Sequence, residues 1–164
     1  MSLKIGDIVP NFTAKDSHGE VFESQSVLGR KPLVIYFYPK DNTPGCTTEA
    51  CSFRDQYEDF KDLGAEVIGI SSDSVKSHHK FANKHQLPFI LLSDQDKKLR
   101  HLFGVRDTLF GLLPGRVTYV IDRNGVVILI FDSMNAGKHI PKALETVKEL
   151  VLSLIHISEP TRPY

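Results

Sequence analysis

Hydrophobic residues in this chain follow two kinds of pattern, which predict strands and helices respectively. Runs rich in aliphatic, β-branched and aromatic residues predict strands at residues 33–38, 66–71, 88–92, 117–121 and 126–131, of which the first two are expected to be buried. Apolar residues that recur at helical spacing predict amphipathic helices at residues 44–61 and 140–152. Shorter helices are predicted at residues 75–85, after a cap at Ser72-Asp73-Ser74 and with Phe81 as the main apolar anchor, and at residues 97–103, closed by Gly104. Two short segments that flank a turn at His18-Gly19 predict an N-terminal β-hairpin. This order of elements predicts an α/β fold, in which helices cover both faces of a central mixed β-sheet.

The junction between the first buried strand and the first long helix contains both cysteines of the chain, Cys46 and Cys51. Pro39 ends the strand, because proline has no N–H to donate to the sheet. Thr43 is the predicted N-cap of the helix, and Pro44 suits its first turn, where no backbone N–H is needed. Cys46 is therefore expected in that first turn, where unpaired N–H groups and the positive end of the helix dipole favour a thiolate over a thiol.

The spacing of the two cysteines restricts how they can react with each other. Five positions along an intact α-helix correspond to a rotation of about 140° and a rise of about 7.5 Å, so that the Cα atoms are roughly 9 Å apart. A disulfide requires about 4.4–6.8 Å. Either the two cysteines never pair, or pairing requires the first turns of the helix to unwind. A free cysteine is also often a small buried hydrophobe, and this interpretation suits Cys51 as well as a redox role does.

Length and composition exclude several classes of protein. The chain has 164 residues, the size of one domain, and its 20 basic side chains balance its 20 acidic ones. This balance gives no reason to expect nucleic acid or a membrane surface as a partner, and no apolar run is long enough for a membrane span. Two cysteines are too few for a structural disulfide framework, so a reducing compartment is expected. The first residues show neither a signal core nor a transit pattern, which favours the cytoplasm.

The predicted domain covers residues 1–151. Residues 152–164 do not continue the hydrophobic stripe of the last helix and have no other periodicity. They are expected to be a non-native tail, of the kind produced by translated cloning sequence.

The spacing Pro39-x-x-x-Thr43-x-x-Cys46 resembles the active-site signature of the peroxiredoxins. With Cys51 five positions later, the chain is similar to the peroxiredoxin Q branch, also called the bacterioferritin comigratory proteins. The similarity extends over about residues 3–150 and includes a second, distant block of sequence at residues 113–122. It implies a thioredoxin-like fold and thiol peroxidase activity towards hydrogen peroxide and organic hydroperoxides.

The resemblance also implies roles for individual residues. Cys46 matches the peroxidatic cysteine, which peroxide oxidises to a sulfenic acid, and Cys51 matches the resolving cysteine, which forms an intramolecular disulfide with it. Thr43 matches the hydroxyl that binds the thiolate and the substrate, and Pro39 matches the residue that shields the pocket from water. Arg116 matches a distant arginine that completes the site, although without the resemblance it would be interpreted as a surface residue.

The family also suggests partners and a location. The expected reductant is thioredoxin or a similar dithiol protein, and no cofactor or metal is expected. The branch suggests a monomer. The alternative to a cytoplasmic location is the chloroplast, for a mature form that has lost its transit peptide.

Some charged residues have two interpretations. Glu49 is either the partner of an arginine or an acidic residue favoured by the helix dipole. His78, His79 and His85 lie on one predicted helix, but their spacing does not suit one metal ion. A solvated helix face is the favoured interpretation of these histidines.

Two functions of different classes remain open at this point. The first is a thioredoxin-dependent peroxidase, and the second is a redox sensor or interaction module that passes its oxidation to a partner. The two differ in whether peroxide is consumed catalytically. A third function, disulfide exchange with other proteins, is disfavoured because that chemistry usually uses a Cys-x2-Cys spacing.

Overall fold

The computed structural model describes residues 2–106 and 115–158, with the side chains of the last helix described as far as residue 153. The strands in these ranges are β1 (Thr13–Asp16), β2 (Val21–Glu23), β3 (Leu33–Phe37), β4 (Glu66–Ser71), β5 (Ile90–Ser93), β6 (Val117–Ile121) and β7 (Val127–Asp132). The helices are α1 (Pro44–Asp62), α2 (Val75–His85), α3 (Lys98–Phe103) and α4 (Ala136–Ser158). Within the described part of the chain, no helix is long and apolar enough to cross a membrane.

The strands form one mixed sheet in the order β2-β1-β5-β4-β3-β6-β7. Strands β3, β4 and β5 are parallel, and the other neighbouring pairs are antiparallel. The central strand β3 is completely buried, which explains its unbroken apolar run. Its alternate side chains pack on opposite faces, because successive residues of a strand point to opposite sides.

Each face of the sheet has its own hydrophobic core. Val34 and Tyr36 of β3 pack with α1, α2 and α4 on one face. Leu33, Ile35 and Phe37 pack with α3 and the N-terminal segment on the other face. The prediction of a mixed sheet with helices on both faces is therefore confirmed, as is the N-terminal hairpin, in which β1 and β2 are antiparallel neighbours.

The last helix differs from the prediction at both ends. It begins at Ala136 because the Asn135 side chain accepts a hydrogen bond from the Gly137 N–H, which places Pro141 inside the helix rather than close to its start. It also continues to Ser158, into the segment expected to be a foreign tail. Residues 159–164 lie outside the described residues, and the non-native origin of residues 152–164 stays a prediction.

Candidate active site

The sheet order brings Arg116 next to the start of α1. Arg116 directly precedes β6, and β6 pairs antiparallel with β3 so that Val117 lies opposite Phe37. The chain leaves β3 after Phe37 and enters α1 at Pro44. Two segments that are distant in sequence therefore meet at one edge of the sheet, and Arg116 is buried there.

Cys46 lies in the first turn of α1, as the sequence predicts, and only 1% of its surface is exposed. Arg116 donates a hydrogen bond from Nη2 to the Cys46 sulfur over 3.3 Å. Gly45 leaves room for this approach, because a Cβ atom at that position would lie 3.0 Å from the same Nη2 and the guanidinium group would have to move by a few tenths of an ångström. The guanidinium group thus contacts the one cysteine that faces the helix N-terminus.

Glu49 holds the other side of the same guanidinium group. It lies one helical turn after Cys46, is fully buried, and accepts a hydrogen bond from Arg116 Nη1 over 2.5 Å. Burial raises the pKa of Glu49 to about 8, although the charge and hydrogen bond of Arg116 act to lower it. Of the two interpretations of Glu49, the partner of an arginine is therefore the one found.

The buried polar cluster formed by Arg116 and Glu49 also includes His139, in the first turns of α4, for which no sequence pattern predicts a role. Its Nδ1 lies 2.7 Å from the Thr118 hydroxyl and 3.7 Å from Glu49 Oε2, and its Nε2 lies 2.6 Å from the Ser133 carbonyl oxygen. Because a carbonyl only accepts, Nε2 carries a proton. The pKa of His139 is lowered, chiefly by burial, so the ring is neutral near pH 7 and Thr118 donates to Nδ1.

Thr43 and Pro39 lie in the loop between β3 and α1, and both are half-buried. Thr43 is the N-cap residue of α1, but its hydroxyl makes no capping bond to the helix. Instead it donates to the Lys40 carbonyl oxygen over 2.8 Å, so that the hydroxyl oxygen keeps its acceptor capacity. The expected capping bond is therefore absent, since the hydroxyl turns back into the loop.

Asp41 anchors this loop to α2 through a buried network. Its carboxylate accepts hydrogen bonds from the Tyr38 hydroxyl at 2.6 Å and the Ser77 hydroxyl at 2.8 Å, and lies 2.7 Å from His78 Nδ1. His78 also contacts the Leu92 carbonyl through Nε2 and is 0% exposed. The prediction that His78 belongs to a solvated helix face is therefore wrong, because this side of α2 packs on the loop.

Cys51 is partly buried on α1 and, like Cys46, is not part of a disulfide. The helix is continuous between them, as expected for two cysteines that cannot pair without unwinding it. The Cys51 sulfur lies 3.7 Å from Nδ1 of His85, the last residue of α2. His85 is half-buried, so the prediction of a solvated face is wrong for this histidine too.

The sequence matches the AhpC/TSA family over residues 5–130. The chain belongs to this family, and its fold is that of a peroxiredoxin. It is 52% identical over 146 residues to "Peroxiredoxin Q, chloroplastic" of Sedum lineare, a match that covers 88% of this chain and 78% of that protein. The resemblance to the peroxiredoxin Q branch is thereby confirmed.

Solved structures agree with this assignment. Peroxidoxin BcpB of Mycobacterium tuberculosis superposes with a TM-score of 0.81 at 38% identity, over 90% of this chain and 98% of that one. The bacterioferritin comigratory protein of Xanthomonas campestris, described for its alkyl peroxide reduction activity, superposes with a TM-score of 0.81 at 32% identity, over 91% of this chain and 98% of that one. The predicted thioredoxin-like fold is confirmed.

The family establishes the class of activity. The protein is a thiol peroxidase of the peroxiredoxin type, which acts on peroxides with redox-active cysteines and a thiol reductant and uses no prosthetic cofactor. The prediction of a cytoplasmic location is wrong, because plant relatives, such as those of Sedum lineare, Triticum aestivum and Arabidopsis thaliana, are chloroplast proteins by name.

Proposed function

We propose that Cys46 is the peroxidatic cysteine, with Arg116, Thr43 and Pro39 completing its site, and that Cys51 is the resolving cysteine. The observation that carries this assignment is the hydrogen bond from Arg116 Nη2 to the Cys46 sulfur, inside a buried site at a helix N-terminus. A cation and a helix dipole that act on the same sulfur both favour its anionic form, which is the form that attacks peroxide.

In the first step the Cys46 thiolate attacks one peroxide oxygen, the O–O bond breaks, and the sulfur becomes a sulfenic acid. The leaving oxygen departs as hydroxide or alkoxide and takes up a proton. Arg116 stands beside the developing negative charge, where a fixed donor in a dry site is most effective. The Thr43 hydroxyl is suited to orient the peroxide. It donates its proton to the Lys40 carbonyl oxygen, so its own oxygen can accept a hydrogen bond from a peroxide O–H.

The polar cluster behind Arg116 keeps the guanidinium group in place. Glu49 binds Nη1 while Nη2 contacts the sulfur, so the planar group is held from two sides. His139 lies against the second oxygen of Glu49. Pro39, in the loop that precedes the site, restricts the access of water to it.

In the second step the sulfur of Cys51 attacks the sulfenic acid at Cys46, water leaves, and an intramolecular disulfide forms. Because both residues lie on α1, its first turns must unwind for this reaction. A dithiol protein of the thioredoxin kind then reduces the disulfide and restores the helix. We propose that the protein does this as a monomer, towards hydrogen peroxide and organic hydroperoxides.

Peroxide consumption with thioredoxin, its reductase and NADPH tests the proposal. The wild type is expected to turn over, Cys46→Ser to be inactive, and Cys51→Ser to reduce about one equivalent of peroxide per chain before stopping. If the wild type causes no NADPH oxidation with any of several peroxides, the peroxidase cycle is refuted and a redox sensor is favoured. Activity that survives in Cys46→Ser would refute the assignment of the attacking sulfur.

A further inference from the structure

We infer that His85 is the proton acceptor for Cys51 in the resolving step, an inference that rests on the function proposed above. His85 Nδ1 lies 3.7 Å from the Cys51 sulfur, within the range of a hydrogen bond to sulfur. The two residues come from different elements, since Cys51 lies on α1 and His85 ends α2. No sequence motif joins them, and the contact exists only in the folded chain.

The contact is held in place from both sides. Arg54, one turn after Cys51 on α1, donates from Nη1 to the backbone carbonyl of His85 over 2.8 Å. The ring of Phe81 packs edge-on against the His85 ring, with 5.1 Å between their centroids. The end of α2 is therefore fixed against α1 at the turn that carries Cys51.

The charges around the ring favour a neutral base. Burial lowers the pKa of His85, and the positive charges of Lys84 and Arg54 lower it further, so the ring is unprotonated at neutral pH. Its Nε2 is buried without a hydrogen-bond partner among the described residues, so no other group there fixes the tautomer. The neutral ring can thus accept at Nδ1.

The step balances as a proton transfer followed by sulfur exchange. The Cys51 S–H bond breaks and His85 Nδ1 takes the proton, which leaves a thiolate beside Arg54. That thiolate attacks the sulfur of the Cys46 sulfenic acid, so that the S–S bond forms and the S–O bond breaks. The leaving hydroxide becomes water by taking up one proton, which His85 returns through solvent.

The ionisation of a thiol limits how large the effect can be. An ordinary cysteine with a pKa of about 8.5 is about 3% thiolate at pH 7, so complete deprotonation accelerates the attack by at most about 30-fold. A less basic thiolate is also a weaker nucleophile, which reduces the gain. Loss of the base is therefore expected to slow disulfide formation about tenfold at pH 7, and to have no effect near pH 9.5, where hydroxide from solvent can take the proton in place of the ring.

Rapid-quench experiments with thiol alkylation and intact-mass analysis can test this, since the chain has no tryptophan for a fluorescence signal. Reduced His85→Asn is mixed with one equivalent of hydrogen peroxide at pH 7 and pH 9.5, and His85→Gln is measured in parallel in case the first variant folds poorly. His79→Asn is the matched control, because His79 is an exposed histidine of the same helix. The sulfenic acid is expected to form at the wild-type rate in all of them.

The result that supports the inference is disulfide formation about tenfold slower in the His85 variants at pH 7 but equal to wild type at pH 9.5. More Cys46 should then reach the sulfinic acid when peroxide is in excess, because the sulfenic acid persists longer. An unchanged or faster disulfide step at pH 7, or a slowing that is the same at both pH values, would overturn it and leave His85 a structural residue. Absence of the sulfenic acid in the wild type would instead refute the proposed function.

Discussion

Oxidation of the two cysteines should unwind a defined part of α1. The disulfide requires Cα atoms about 4.4–6.8 Å apart, and the intact helix keeps those of Cys46 and Cys51 roughly 9 Å apart. Phe53 limits how far along α1 the unwinding can extend, because it is 0% exposed and stacks on Tyr36 with 4.5 Å between ring centroids. Unwinding should therefore affect residues 44–51 and stop before Phe53, which is eight of the 19 residues of α1.

The same limits define which backbone amides lose their helical hydrogen bonds and hence their protection from hydrogen exchange. Each helical N–H bonds to the carbonyl four residues earlier, as Thr47 does to Thr43 over 2.8 Å. Loss of helical structure at residues 44–51 therefore frees the N–H groups from Thr47 to about Asp55. Those near Phe60 should remain protected, because that part of the helix stays in the core.

Hydrogen–deuterium exchange of the reduced and oxidised protein measures this directly, with far-UV circular dichroism reporting the total loss of helix. Oxidised wild type is expected to exchange rapidly from Thr47 to about Asp55 only. Cys51→Ser treated with one equivalent of peroxide is the control, because it forms a sulfenic acid without a disulfide and should keep its protection. A 46–51 disulfide found by mass in a protein with unchanged exchange would refute the argument.

Three further predictions concern the guanidinium group at Cys46. Arg116→Gln should slow sulfenic acid formation in single-turnover assays about 100-fold, because a positioned charged donor is lost, and a rate within twofold of wild type would contradict this role. Gly45→Ala should be as stable as wild type or more so in urea titrations, since alanine favours helix, yet react up to about tenfold more slowly, because its methyl group would lie 3.0 Å from Nη2. The pKa of Glu49 is raised from 4.5 to about 8, so between these pH values the carboxyl group is protonated in the folded state and ionised in the unfolded state. The free energy of unfolding should therefore fall as pH rises towards and through 8. The peroxide rate should fall over the same range, because the ionised Glu49 carboxylate offsets the positive charge that Arg116 presents to the reaction. Glu49→Gln should remove both effects.

Local patterns were sufficient to predict the elements that carry the cysteines. The unbroken run before Pro39 and the helical spacing after Pro44 identify the strand, the helix and the turn that holds Cys46, because each depends only on neighbouring residues. The position of Arg116 was inferred from the family motif. The physical cause of its position is the pairing of β6 with β3, which no local pattern specifies.

Histidines show where sequence interpretation was insufficient. His78, His85 and His139 are buried or half-buried against groups from distant parts of the chain, which are Asp41, Cys51 and Glu49 respectively. A polar residue on a helix is normally expected to face solvent, because burying it without a hydrogen-bond partner is costly. Its burial can be explained only when the partner from another part of the chain is known. The capping bond predicted for Thr43 is absent for a related reason, because its hydroxyl can bond either a helix N–H or the Lys40 carbonyl, and the loop conformation decides between them.

The central claim is that peroxide attacks the Cys46 sulfur because the fold holds it beside Arg116 at a helix N-terminus. The most direct test is the rate constant of Cys46 with hydrogen peroxide in Cys51→Ser, measured by rapid quench and mass analysis in the folded protein and in the same protein unfolded in urea. Ionisation of the thiol and a fixed donor together predict that the folded protein reacts at least about 1000-fold faster. Equal rates in the folded and unfolded states would contradict the account.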